Sequence, residues 1–242
     1  SLELLRVGGI EVMSERVRSA FQREGAAVDR DREIVCTDPE MILELVARAP
    51  STFTLTPRNV DHALTLGANK TYFGMVSGPP NVHDRIDGRR VGNFADYKKL
   101  LSLGQHFNVI ALFGNQTVAT TDLPATTRHL DCYLANLSLT DKVFSAIPIG
   151  AGRVNDAAQM LALARGVSLE EMRARPGLIG NINVNSPRKL DEAMSDGALA
   201  LAELGQAVIV TPFTLLGAMT PVTMAAGLVQ QNAEALFGIA MI

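Results

Sequence analysis

Five short apolar strands spaced by helix-length periodic segments predict an α/β fold on a parallel sheet, and the lack of a dinucleotide-binding fingerprint turns that sheet towards a (β/α)8 barrel. The strands are Tyr72–Gly74, Val109–Phe113, Val143–Ile147, Leu178–Val184 and Ala207–Val210, and a helix-length segment follows each of the last four. Ala207 to Val210 is the plainest case, because a short apolar run without in/out alternation is the pattern of a fully buried parallel strand. Such alternation of strand and helix implies right-handed crossovers, which a barrel and a doubly wound sheet both satisfy. A G-x-G-x-x-G directly after the first strand would favour the doubly wound sheet. Gly150-Ala-Gly152-Arg-Val-Asn has only the first two glycines and follows a middle strand. Five strands cannot close a barrel. The expected architecture is therefore a TIM barrel of which this chain holds about the first five β/α units, with the remainder supplied by a continuation or by another chain.

Residues 1–57 read as an N-terminal α+β cap and residues 58–242 as the partial barrel. In the cap, an amphipathic helix is expected from about Val12 to Glu24, a strand near Arg32–Cys36, and a helix announced by Asp38-Pro39, an N-cap followed by a proline at the first helical position. Thr52-Phe-Thr-Leu-Thr alternates like a half-exposed strand. Gly78-Pro-Pro-Asn is a turn leading into a hairpin, Val82–Ile86 against Arg90–Val91, closed by Asp87-Gly88. Helix starts are expected at Asn93 or Asp96, after Asp122-Leu-Pro, at Asn155-Asp156, at the capping box Ser168-Leu-Glu-Glu171 and at Ser186-Pro187, with Gly205 closing the last of these. Thr220-Pro221 marks the start of the final helix, and the absence of a C-cap signal after Phe237 leads us to expect that the natural protein continues past Ile242.

The chain of 242 residues is 47% hydrophobic and 19% charged with a formal net charge of −3, ordinary usage for a globular domain. Its Lys and Arg residues are scattered rather than striped, which argues against a nucleic-acid partner. Cys36 and Cys132 fall in no CxxC pattern and read as reduced thiols of a cytoplasmic protein. No stretch approaches the ~20 apolar residues needed to span a bilayer.

In a barrel the working surface is the carboxyl end of each strand and the loop after it. That rule selects Gly114-Asn115-Gln116-Thr117, Asn183-Val-Asn185 and Thr211-Pro-Phe213-Thr214. Along Asn181-Ile-Asn183-Val-Asn185 the period of two puts the three amides on one face and Ile182 with Val184 on the other. With the aliphatics under the helices, the amides face the barrel axis and need partners, each other, water or a ligand. Asn185 also suits a purely structural helix-capping role. Among the histidines only His83 lies near a strand end, where it reads as a solvated hairpin residue. No HExxH or Asp-x-Asp spacing points to a metal, Ser77, Ser145 and Ser186 occupy no G-x-S-x-G elbow, and Lys70 and Lys142 sit at the entering ends of their strands.

The run Thr211-Pro-Phe-Thr-Leu-Leu-Gly-Ala-Met-Thr-Pro-Val-Thr, continued by Gln230-Gln-Asn-Ala-Glu-Ala-Leu, together with Tyr72-Phe-Gly and Asn181-Ile-Asn183-Val-Asn185-Ser-Pro, resembles the trimethylamine methyltransferase family, including members that act without pyrrolysine on quaternary amines such as glycine betaine. The resemblance covers this whole chain and about the first half of a family member. It implies a (β/α)8 barrel that moves a methyl group from an amine to a corrinoid (cobalamin) presented by a separate partner protein, with no cofactor bound permanently. The pyrrolysine position falls beyond Ile242, so the choice among trimethylamine, glycine betaine and related substrates stays open. The candidate substrate-binding residues are then Tyr72, Phe113 and Phe213 as aromatic faces for a charged headgroup, with Asn115, Gln116, Asn183 and Thr211 as polar groups. The family's size makes a homo-oligomer the expectation. A barrel lyase of another class and a non-catalytic half-barrel are the alternatives.

Overall fold

The computed structural model describes residues 1–242. The chain opens with α1 (Leu2–Val7), β1 (Ile10–Val12), α2 (Glu15–Arg23), β2 (Ala27–Asp29), β3 (Ile34–Cys36) and α3 (Pro39–Ala47), followed by a hairpin of β4 (Phe53–Leu55) and β5 (Leu64–Leu66). Asp38 caps α3 as its sequence promises, accepting from the Glu40 N–H at 2.9 Å. The first amphipathic segment is divided. Ile10–Val12 pairs with β3 as a strand, and α2 begins only at Glu15 behind the Ser14 N-cap.

From β6 (Phe73–Met75) the chain makes a hairpin of β7 (Asn81–Asp84) and β8 (Gly88–Val91), then α4 (Phe94–His106), β9 (Ile110–Phe113), α5 (Arg128–Leu139), β10 (Val143–Ala146), α6 (Ala151–Arg165) and α7 (Leu169–Ala174). It finishes with β11 (Leu178–Ile182), β12 (Lys189–Leu190), α8 (Glu192–Glu203), β13 (Ala207–Val210) and α9 (Met224–Ala240). The five long-range strands pair parallel in the order β6-β9-β10-β11-β13. That order follows the chain without reversal, whereas a doubly wound sheet needs a point where the order turns back. The result is a parallel half-barrel sheet.

Its two faces are covered differently. On the outer face Phe113, Phe144, Ala146 and Leu178 pack with Tyr97, Leu101, Tyr133, Val154, Leu161 and Leu201 of α4, α5, α6 and α8. Gly180 permits the closest approach there, since a Cβ on it would fall 2.1 Å from Leu201 Cδ1. On the inner face, at the amino ends of the strands, Val143 and Ile179 pack against Leu55 and Leu64 of the β4–β5 hairpin, which plugs the sheet from below. Asp141 fastens this plug: its carboxylate accepts from Asn59 Nδ2 at 3.0 Å and Gln105 Nε2 at 2.8 Å and lies 2.8 Å from His62 Nδ1. Lys142, at the entering end of β10 as expected, is buried and donates from Nζ to the carbonyls of Gly104, Gln105 and Phe107 at 2.9–3.2 Å, closing the C-terminus of α4.

The cap packs on the barrel part through a shared core. Leu5, Ile10, Val17, Phe21 and Ile42 meet Ile182, Val184, Ala198 and Phe237, with the Phe21 and Phe237 rings stacked at 4.4 Å. β1 also pairs parallel with β12, Glu11 opposite Lys189 and Val12 opposite Leu190.

Four expected helix starts move, each for a local reason. Ser186-Pro187, a cis peptide, opens no helix: the next residues are drawn into β12 by β1, and α8 starts at Glu192 behind Asp191, which accepts from Met194 N at 2.8 Å. Asp122 caps its neighbour instead of its own helix, taking the Phe94 N–H of α4 at 2.9 Å. α6 begins at Gly150, not at Asn155-Asp156, and Asp156 within it bonds His129 at 2.9 Å. Thr220 is consumed by a turn, its N–H bonded to Leu215 O and its carbonyl taking Gly217 N, so α9 starts later, with Thr223 as N-cap. The capping box at Ser168 and Glu171 forms as read, and Gly205 adopts φ +66 after α8.

Candidate functional site

The side-chain alternation of β11 decides what faces the concave side. Ile182 and Val184 are buried in the cap-side core, so Asn181 and Asn183 project to the inner face at the carboxyl rim. β13 runs beside them in register, Asn181 opposite Ile209 and Ile182 opposite Val210, which brings Thr211 level with Asn183. The Thr211 hydroxyl lies 2.8 Å from Asn183 Oδ1, 3.1 Å from Asn181 Oδ1 and 3.0 Å from the Ile182 carbonyl. A hydroxyl has one proton to donate, so all three contacts are satisfied only when the carbonyl takes that proton and the amides turn an NH2 to the oxygen. That arrangement leaves amide oxygens pointing into the concave space. Phe213 follows, its N–H bonded to Val184 O at 3.1 Å and its ring half exposed on the same rim.

The other predicted residues divide. Asn115 stands at the rim after β9, its N–H held by Ser77 Oγ at 2.8 Å, and Gly114 is required there because a Cβ would fall 2.1 Å from that oxygen. Gln116 turns away: its amide nitrogen bonds Thr120 Oγ1 at 3.2 Å and Cys132 Sγ at 3.4 Å on the helical side. Burial pushes the Cys132 thiol above its ordinary pKa, with Gln116 and Thr120 opposing, so it stays a neutral thiol. Phe113 is fully buried against α4, where a Cβ on Gly104 would lie 2.5 Å from its ring, and it offers no face to the concave side. Tyr72 packs with the plug cluster at the amino end of β6, the end opposite the rim. The parity of each strand, odd residues inward on β11 and even residues outward on β10, removes these aromatics from the site.

Two residues that the reading of strand ends passed over organise the rim from behind. Glu234 of α9 is fully buried and accepts from Ser186 Oγ at 2.5 Å, Arg188 N at 2.8 Å and Gln230 Nε2 at 2.8 Å. Gln230 also donates to Met219 O at 3.0 Å. Their i, i+4 spacing on an otherwise apolar helix face was the available signal. No group of three His, Cys, Asp or Glu side chains is arranged to hold a metal ion, and no helix is long and apolar enough to cross a membrane.

With the rim in place, the likeness to known proteins has a structural setting. The family model described as trimethylamine methyltransferase (MTTB) matches residues 1–242. The chain belongs to this family. It is 30% identical over 241 residues to a glycine betaine methyltransferase of Desulfitobacterium hafniense (strain Y51), covering all of this chain and 50% of that protein. It is 26% identical over 255 residues to a proline betaine:corrinoid methyltransferase of Eubacterium limosum, again all of this chain and 50% of the relative. A trimethylamine methyltransferase MttB of Desulfitobacterium hafniense (strain DSM 10664 / DCB-2) is 24% identical over 251 residues, with 48% of its length covered. The chain thus spans about half the length of the curated relatives it matches. Within the family stretch from Thr211 to Leu236, Thr211 sits in the rim cluster, while Gln230 and Glu234 hold the loops behind it.

Proposed function

We propose that the complete protein, with its parallel sheet closed into an eight-stranded barrel, transfers a methyl group from a tertiary or quaternary methylamine to a corrinoid carried by a separate protein. The observation that carries this reading is the Asn181, Asn183 and Thr211 cluster on the concave carboxyl rim of a chain matched from end to end by the methyltransferase family. The relatives named for glycine betaine and proline betaine support a quaternary amine as substrate. A cytoplasmic setting and a homo-oligomer go with this reading.

The chemistry asks little acid–base work of the protein. A quaternary nitrogen loses its charge when the methyl leaves, so no general acid is needed at the leaving group, and the corrinoid brought by the carrier supplies the nucleophile. What remains is binding, orientation and exclusion of water. The amide oxygens of Asn181 and Asn183 present partial negative charge to the polarised methyl groups around the ammonium. The Phe213 ring adds a cation–π attraction of about 0.5–2 kcal/mol. An amide is suited to this task because it attracts the cation without forming a full ion pair, which would favour the charged ground state over a transition state that is losing its charge.

The test uses the full-length protein, cob(I)alamin and a panel of glycine betaine, proline betaine, carnitine and trimethylamine, followed by the cobalt absorption change. Methyl transfer from at least one amine is expected. Absence of transfer from all four would overturn the reading.

A further inference from the structure

We propose that Glu234 is a positioning residue that holds the two rim loops in register, and through them sets the site for the amine. Its role for the amine rests on the function proposed above.

The carboxylate is wholly enclosed in α9, beside Ala233 and Phe237 of the apolar core. An apolar side chain would fill that space without a desolvation cost, so the donors it gathers have to account for the charge. Those donors come from distinct parts of the chain. Ser186 Oγ and Arg188 N belong to the loop that leaves β11, directly after Asn183 and Asn185. Gln230 Nε2 couples the same carboxylate to Met219 O, in the loop that leaves β13 after Thr211. One side chain therefore ties the segments after both halves of the Asn183–Thr211 contact to a single helix.

Both loops depend on this tie. Phe213, Leu215, Leu216, Gly217 and Ala218 are exposed and cover no core of their own. Arg188 is held at φ +54, a left-handed conformation that a non-glycine residue keeps only when its surroundings enforce it, and the bond from its own N–H to Glu234 is part of that enforcement. The pattern is that of an outer group fixing the orientation of groups that touch the ligand.

Two substitutions in the full-length protein separate positioning from mere packing. In Glu234→Gln the amide oxygen still accepts from Arg188 N and Gln230, and the NH2 donates to Ser186 Oγ, since a hydroxyl accepts as well as donates. In Glu234→Met the length and volume remain and every acceptor is lost. The methionine variant is expected to raise the KM for the amine about 10-fold, a loss of one decade in binding, with kcat per folded molecule changing less. Its amide hydrogen exchange is expected to quicken at 186–189 and 215–219 while the α9 amides stay protected. The glutamine variant is expected to keep wild-type exchange and KM. Unchanged loop exchange in Glu234→Met, or equal defects in both variants, overturns the inference. Should Glu234→Met not fold, Gln230→Met cuts the tie to Met219 alone, and exchange must rise at 215–219 but not at 186–189. Exchange requires no turnover, so a wild-type protein that transfers no methyl group would remove the proposed function while leaving this result readable.

Discussion

Replacing Asn183 by alanine separates a residue that contacts substrate from one that merely completes a polar ladder. In the folded protein the Asn183 side chain is half-buried and its one side-chain partner is the Thr211 hydroxyl at 2.8 Å. Thr211 keeps the Ile182 carbonyl at 3.0 Å and Asn181 at 3.1 Å when Asn183 is gone, so no buried donor is stranded. The stability loss is then that of one ordinary hydrogen bond, about 1 kcal/mol. For a protein of this size that lowers the Tm by roughly 2–4 °C. An interaction with a charged ligand is worth more, about 1.5–3 kcal/mol, which corresponds to roughly a 10- to 150-fold fall in kcat/KM. Thermal unfolding and methyl transfer measured on the same preparation give the two numbers side by side. The proposed contact is refuted if kcat/KM drops no more than the folded fraction does. Asn181→Ala serves as the internal comparison, and a smaller effect there is expected because Asn181 stands one step further down the strand from Thr211.

Other expectations concern the frame that holds the rim. Gly197→Ala in α8 should destabilise by about 1–3 kcal/mol through overpacking, because its new Cβ would lie 2.3 Å from Pro148 O and 2.5 Å from Pro148 C, backbone atoms that cannot swing aside; the ~1 kcal/mol gained in helix propensity offsets only part of this, and a denaturant midpoint above wild type would contradict it. Lys142→Met removes three donors from the last carbonyls of α4 and should cost about 1–3 kcal/mol, read as a lowered denaturation midpoint. For Asp141, burial pushes the carboxyl up, but hydrogen bonds from Asn59, Gln105 and His62 outweigh it and hold the pKa below its ordinary value of 3.8. A carboxylate whose folded pKa is depressed stabilises fully above the unfolded pKa and loses that contribution as pH falls through the folded value. The plug hairpin should therefore loosen below about pH 4, and Asp141→Asn should weaken this acid limb in a Tm-against-pH series.

Much of this protein was legible in its sequence because the relevant signals are local. Apolar runs bounded by turns located all five parallel strands, and Asp38-Pro39, Ser168 with Glu171, and Gly205 marked helix ends that form as read, since a cap is decided by residues within one turn of each other. The alternation along Asn181 to Asn185 likewise told which amides share a face, because strand parity follows from backbone geometry alone. Tertiary structure decided the rest. Asp122 was free to cap a helix 28 residues away, and Ser186 to Leu190 left the expected helix because β1, nearly 180 residues earlier in the chain, offered a strand to pair with. Phe113 and Tyr72 lost their place in the site for the same kind of reason: which side of a sheet is concave, and which end is plugged, are properties of the assembled strands and not of any one segment. Glu234 is the clearest instance. Its identity is visible in the chain, but the three donors that give a buried carboxylate its purpose come from residues 4, 46 and 48 positions away, and only folding brings them to one point.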